Sequence, residues 1–358
     1  MFVALRELRF ARGRFLLIGT VVALITVLVG FLAGLTGGLA AQNVSAVLAL
    51  PGDRLVLEQP ADGSAGFAES RLDDGQVTAW RDAAGVDAVV PVGIAQARAE
   101  VGGSTTGVAL FGLPAGAAPT TLTRLAPSSD DGVGLSAGAA SELGVDVGDE
   151  VTVLGTAYRV EAVGGDAWYS HTPAVAMTPD AWADADRRAG GDGEPTVLAV
   201  TGHPDWDAVG AASGTTASTP LASLAALETF RSEIGSLGLM VAMLFGISAL
   251  VVGAFFTVWT MQRANDIAVL KALGASTRTL VADSLGQALI VLVAGIGAGM
   301  LVVVALGTLA QGALPFLLDP LTTVVPAIAM TVLGLAGAAV ALRTVTAADP
   351  LTALGSNR

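Results

Sequence analysis

The chain has 358 residues, 53% of them apolar and 14% charged, with no cysteine, a net charge of −13 and a mean hydropathy of +0.68. That is too oily for a soluble protein of this length and points to an integral membrane protein. Without cysteine there are no disulfide staples, so stability has to come from apolar burial.

Residues 1–14 carry Arg6, Arg9 and Arg12 at i, i+3 spacing, with Phe2, Leu5, Leu8 and Phe10 among them, which predicts an amphipathic helix at the inner membrane surface. Residues 15–41 are uncharged over more than the ~20 residues that cross ~30 Å of hydrocarbon, which predicts the first transmembrane helix. That run is too long for the ~7–15-residue core of a cleaved signal and reads as a signal anchor. Gly30, Gly34 and Gly38 within it form small-x-x-x-small frames. Packing against the second span within the chain and a dimer face fit that spacing equally.

Residues 42–233 are long enough for a domain with its own core and read as mixed α/β. AASELGV predicts a short helix, GDEVTVLG a strand closed by glycine, and AYRVEAVG a second, alternating strand. Residues 62–67, 114–121 and 190–194 read as Gly-, Pro- or Asp-rich loops. Residues 234–261 predict the second span, with Trp259 near its inner end. In the loop 262–279, Ile267, Leu270 and Leu273 fall at helical spacing before Gly274, which predicts a short amphipathic helix whose exposed apolar face needs a partner. Residues 280–310 and 321–342 predict the third and fourth spans, joined by an outer loop at 311–320 and followed by an inner tail at 343–358.

Charge sets the orientation. Between Ala41 and Glu233, nine Arg and no Lys stand against twenty-six Asp and Glu, a net −17. The other nine basic residues lie in the three short segments 1–14, 262–279 and 343–358. Cytoplasmic flanks collect Lys and Arg, so both termini are expected inside and the acidic domain outside. The expected fold is an α-helical membrane protein with four transmembrane helices and one extracytoplasmic mixed α/β domain inserted between helices 1 and 2. Arg in place of Lys, with abundant Ala, Gly, Val and Asp, points to a high-GC bacterium.

Several chemistries lack their motifs. There is no G-x-x-x-x-G-K-[ST], and the single lysine, Lys271, does not follow a glycine, so ATP hydrolysis belongs to another subunit. H-E-x-x-H, C-x-x-C and G-x-S-x-G are also absent, and His171 and His203 lie apart in the insert. The chain is therefore not read as an enzyme. The middles of the spans are uncharged, which leaves no intramembrane proton relay, and four spans are too few for the inverted repeats of many secondary carriers.

IAVLKALGAS between the second and third spans, and ADPLTALGS near the C-terminus, resemble the FtsX/MacB-like permeases of ABC transporters, the type VII mechanotransmission group. The order of one span, a large outer domain and three further spans is similar as well, so the resemblance covers essentially the whole chain. Within the family, RELRFARGRF, LVLEQPADGSAGFAESRL, DAWYSHTPAVAMTPD and VWTMQRANDIAVLKALGASTRTL are most similar to the haem-exporting branch. The resemblance implies a bacterial plasma-membrane homodimer working with two copies of a separate, HrtA-like ABC ATPase that binds ATP. It implies no intrinsic cofactor and no nucleic acid, only membrane lipid and haem taken from the membrane and released outside. Ile267, Leu270, Lys271, Leu273 and Gly274 match the segment that couples the ATPase to the spans.

Haem iron is held by His, Cys, Met or Tyr. Tyr169 falls where haem-exporting relatives carry a tyrosine implicated in haem binding, and His171 shares its face if the segment is extended. A second tyrosine position corresponds to Phe230, which cannot ligate iron through oxygen. Glu228, Arg231 and Glu233 precede Met240 and Met243, an i, i+3 pair on one helix face. Arg231 is the candidate partner of a haem propionate, at the boundary of an acidic surface that repels a released porphyrin. The alternative readings are export of another lipophilic compound, peptide or drug, or FtsX-like signalling to a cell-wall hydrolase.

Overall fold

The computed structural model describes residues 12–61, 63–262, 269, 276–310 and 314–346. The predicted inner-surface helix up to residue 11, the coupling residues Ile267, Leu270, Lys271, Leu273 and Gly274, and the tail from 347 lie outside them. The chain forms two compact units, Leu39–Gly235 and the segments up to Gly38 and from Ser236 onward.

The unit Leu39–Gly235 is built on two split β-α-β pieces. The first is β1 (Arg54–Glu58), α2 (Asp74–Arg81) and β2 (Val86–Val101); the second is β9 (Val197–Gly202), α5 (Trp206–Ser213) and β10 (Thr215–Ser218), followed by the one-turn α6 (Pro220–Ser223). Their strands align in the order β10–β1–β9–β2, each pair antiparallel, which is the ferredoxin-like arrangement. Helices α2 and α5 cover one face, where Val56, Leu72, Val77, Trp80, Leu198 and Val200 are buried.

Between β2 and β9 the chain inserts β3 (Ser104–Gly112), β4 (Gly132–Leu135), α3 (Ala137–Leu143), β5 (Glu150–Val153), β6 (Thr156–Val163), β7 (Trp168–Tyr169), β8 (Thr172–Met177) and α4 (Pro179–Arg188). β2, β3, β8, β4, β6 and β5 pair in turn, and β5 returns to β2, so six strands close on themselves and leave no long open edge. Val108, Leu110, Val133, Leu135, Val151 and Val175 are among the buried residues of that region. AASELGV is the end of α3, stopped by Gly144 in the left-handed conformation at φ 68°. The two strands expected after it are β5 and β6, joined through Leu154 and Gly155 at φ 48° and 80°, the geometry of a two-residue hairpin turn.

The other unit holds four helices long and apolar enough to cross a membrane. α1 (Arg12–Leu48), α7 (Glu228–Gln262), α8 (Thr277–Ala310) and α9 (Pro320–Thr346) carry them. Two boundaries differ from the sequence reading. The first helix does not stop at residue 41 but continues to Leu48, and the second begins at Glu228 rather than 234. The 37 residues of α1 extend about 55 Å at ~1.5 Å per residue, well beyond ~30 Å of hydrocarbon. Its polar last turns stay helical because Asn43 finds side-chain partners and Ala46 and Val47 are fully buried.

Within the membrane unit, small residues set the helix spacing. A Cβ added to Gly299 of α8 would lie 2.6 Å from the Ala23 carbonyl of α1, and one on Gly337 of α9 would lie 3.0 Å from the Gly253 Cα of α7. The three glycines of the first span also pack within the chain, but not on the second span. Gly30 faces Val303 and Met300 of α8, Gly34 faces the Phe316 ring, and Gly38 faces the Pro315 carbonyl. The third helix and residues Pro315 and Phe316 before α9 thus occupy the glycine surface that the spacing left open to the second span or to a second copy.

Candidate functional site

The predicted WYSH segment forms a two-residue hairpin between β7 and β8. Ser170 and His171 both have positive φ, 46° and 64°, where Asn-Gly is the usual choice. Such backbone costs of order 1–3 kcal/mol per residue unless its surroundings impose it. Here they do. The amide of Ser170 donates to the Asn43 carbonyl and that of His171 to the Gln42 carbonyl, both at 3.0 Å. The Thr172 hydroxyl donates to the Tyr169 carbonyl at 2.7 Å.

The side chains extend the same network. His171 Nε2 lies 2.8 Å from Glu233 Oε1, and fully buried Asn43 donates from Nδ2 to Glu233 Oε2 at 3.1 Å. The Thr229 hydroxyl donates to Asn43 Oδ1 at 3.0 Å and lies 3.2 Å from Ser170 Oγ. Both Glu233 oxygens are engaged, and an acceptor-only carboxylate faces two donors. The last turns of α1, the first turns of α7 and the β7–β8 hairpin are therefore pinned at one place.

Beside this network is a cavity of about 660 Å³, within the ~300–1,000 Å³ range of small-molecule sites. Phe67, Glu69, Arg71, Tyr169 and Glu228 line it, together with Ser170 and Thr229 of the network. Tyr169 is 7% exposed, with its ring held edge-to-face by Phe67 at 6.4 Å and by Phe111 at 6.0 Å. Burial pushes its phenol up to about 12, the Glu69 carboxylate adds to the rise, and the Arg71 guanidinium opposes it. Tyr169 is thus a neutral phenol at physiological pH, a hydrogen-bonding group rather than a phenolate.

The structure brings only some of the predicted site residues together. Tyr169 and Glu228 share the cavity, and Arg231 lines a smaller neighbouring one of about 190 Å³ with Glu69 and Glu228. His171 and Glu233 bind each other. Phe230 packs against the buried core. Met240 and Met243 belong to the membrane unit, where they are 51% and 61% exposed on α7. The sequence reading did not single out Asn43, Thr229, Phe67, Glu69 or Arg71. Phe67, Glu69 and Arg71 lie inside the LVLEQPADGSAGFAESRL stretch without standing out individually, and Asn43 is the second of two amides that follow an apolar run.

Residues 238–350 match the family described as FtsX-like permease C-terminal. Over its full length the chain is 22% identical to the putative hemin transport system permease protein HrtB of Staphylococcus epidermidis, with 100% of each chain covered. It is 23% identical to the protein of that name from Staphylococcus haemolyticus and 27% identical to an uncharacterized ABC transporter permease of Mycobacterium tuberculosis, with 99% of each chain covered in both cases. Among solved structures, the extracellular domain of the noncanonic ABC-type transporter YknZ aligns with a TM-score of 0.34 and 12% identity, over 46% of this chain and 98% of that one. The periplasmic region of MacB from Actinobacillus actinomycetemcomitans aligns with a TM-score of 0.35 and 10% identity, over 49% and 92%.

Proposed function

We propose that this chain, with its four apolar helices, is an ABC transporter permease of the FtsX type whose inserted domain is extracellular, and that it exports haem as the transmembrane half of a mechanotransmission transporter. The observation that carries the reading is full-length similarity to permeases named for hemin transport. A separate, HrtA-like ATPase in two copies supplies ATP hydrolysis. The inner loop bearing Ile267, Leu270, Lys271, Leu273 and Gly274 receives its stroke, and both termini are cytoplasmic in the bacterial plasma membrane.

The working unit is a homodimer, and α7 is the helix we assign to its interface. Only 17% of its most apolar window is buried within the chain, against 28–33% for the other three spans. Met240, Met243, Ile247 and Leu250 are exposed along it at three- and four-residue steps, Val258 and Met261 follow further on, and Gly238 and Gly246 have open space beside them. Spacing of this kind is suited to helix–helix contact in lipid.

For the cargo, Arg231 is the propionate partner, since its guanidinium has no hydrogen-bond or ion-pair partner among the described residues and is exposed. The thioethers of Met240 and Met243, or the His171–Glu233 pair after opening, supply iron contacts. Tyr169 contributes a hydrogen bond. Hemin titrated into the purified permease is expected to shift its Soret band and to stimulate ATP hydrolysis once the partner is added. Absence of both responses overturns the haem reading. Loss of cell-wall hydrolase activation on removing the outer domain, with neither haem response, would favour signalling instead.

A further inference from the structure

The 660 Å³ cavity holds a combination of groups that haem export does not call for. Two carboxylates on its wall, Glu69 and Glu228, are exposed and make no hydrogen bond or ion pair with any described residue. A third, Asp186, is buried and accepts from the Gly193 amide at 3.0 Å. The cavity's cation, Arg71, is engaged elsewhere, with its guanidinium donating to the Ala68 and Ser70 carbonyls and lying 3.8 Å from Asp192. Arg231 lines the adjoining cavity and pairs with neither Glu69 nor Glu228.

An acidic wall alone would say little. Tyr169 adds an independent observation. Its side chain is more than nine-tenths buried, yet its hydroxyl has no hydrogen-bond partner among the described residues and belongs to the lining of the cavity. The charges that act on that phenol are the cavity's own Glu69 and Arg71. Although the ring is buried, the hydroxyl has no protein partner among the described residues and is left for solvent or a ligand to meet. Phe67, Ile94 and Leu227 give the wall an apolar side, while Gln96, Ser170 and Thr229 add neutral polar groups.

We propose that this cavity is a binding site for an organic ammonium compound, in which the N–H groups donate to Glu69, Glu228 and the Tyr169 oxygen while the apolar body lies against Phe67 and Leu227. Aromatic faces beside a carboxylate pair suit a cation carrying a hydrophobic group. The haem propionates, being anions, would be repelled by the same wall. The two readings meet at Tyr169 and Glu228 but call for ligands of opposite charge, so this one defines a second class of ligand for the outer domain.

The test uses full-length permease in nanodiscs and monodansylcadaverine, a primary ammonium on a short alkyl arm with a fluorescent aromatic group. Its carboxylate counterpart, dansyl-6-aminohexanoate, is the control. Saturable binding of the amine is expected, with the carboxylate weaker by at least about tenfold. Tyr169→Phe keeps the ring contacts and removes only the hydroxyl, and should weaken the amine about three- to tenfold. The double variant Glu69→Gln/Glu228→Gln should weaken it by more than about tenfold. Equal affinity for the two dyes, no saturable binding of the amine, or unchanged amine affinity in both Tyr169→Phe and the double variant would overturn the proposal. Hemin titration of the same samples separates the two readings, since loss of the Soret response with amine binding retained removes haem alone.

Discussion

The two units satisfy their buried polar groups in opposite ways. In the membrane unit the hydroxyls bond their own helix. Thr26 donates to the Val22 carbonyl, Ser248 to Leu244, Thr260 to Phe256 and Thr331 to Ala327, at 2.6–2.8 Å and always four residues back. In the outer unit Ser136 and Ser223 also bond locally, but several buried polar groups bond across the chain. Asn43 reaches Glu233 over 190 residues, Trp80 reaches Thr215 over 135, and Ser70 reaches the Thr196 carbonyl over 126. Hydrocarbon offers a polar group no partner outside the protein, so a span closes its bonds locally and leaves its packing to apolar and small side chains. The water-facing unit uses polar bonds to fix which strands and helices meet.

Trp80→Ala should break the outer pattern most. The side chain is fully buried between α2 and the sheet, stacks near Trp206 at 5.8 Å and donates to Thr215 Oγ1 at 3.0 Å. A loss of about 3–5 kcal/mol is expected in denaturant unfolding of the full-length protein, with the helices of the membrane unit unaffected. A loss below about 1 kcal/mol would mean that the ferredoxin-like layer does not depend on this contact.

The same contrast explains what could be read from the sequence. The four spans were legible because uncharged length is sufficient for a membrane helix. The α3–β5–β6 stretch was legible because Gly144 marks a left-handed stop and the alternation is local. The ferredoxin-like order was not, because Leu55 pairs with Ser218 and Val56 with Leu198, partners far apart in the chain that carry no mutual signal. The helical turns past residue 41 were also hidden, since Gln42, Asn43 and Ser45 read as the end of an apolar run. In the site, Tyr169 and His171 stood out by residue type. Glu69 and Arg71 did not, because only the fold brings their loop to the first turn of α7.

Tyr169 gives the next largest effect, and it depends on pH. Its folded-state phenol lies at about 12 against an ordinary value of 10.0. The stability linked to its protonated form is therefore complete below pH ~10 and is lost as pH rises toward the folded value, about 3 kcal/mol in all. Difference absorbance titration of the wild type against Tyr169→Phe should show this phenol ionising near pH 12, and the variant's stability should fall less between pH 10 and 12. Ionisation near 10 would place the ring in water.

Asn43→Ala removes the donor to Glu233 and the acceptor for Thr229 at once. A cost of about 1–3 kcal/mol is expected from the stranded partners. Hydrogen exchange should show the loss first at the Ser170 and His171 amides, whose positive-φ turn rests on this network. Exchange at those amides unchanged from wild type would show that the two backbone bonds to α1 hold the hairpin without the side chain.

The finest test makes one substitution in both units. Thr196→Val in the outer unit removes a hydroxyl that accepts from the Ile94 amide at 2.9 Å and donates to the Ile94 carbonyl at 3.2 Å, both buried. The amide is left without that acceptor, at a cost of about 1–3 kcal/mol. Thr260→Val in α7 removes a hydroxyl that is equally buried but donates to the Phe256 carbonyl four residues back, 2.6 Å away. That carbonyl keeps its place in the helix ladder, so no group is orphaned and the change should stay within about 0.5 kcal/mol. The difference between the two unfolding midpoints then isolates what a long-range polar bond contributes beyond a local one. Equal losses would show that both units depend on hydroxyl bonds alike.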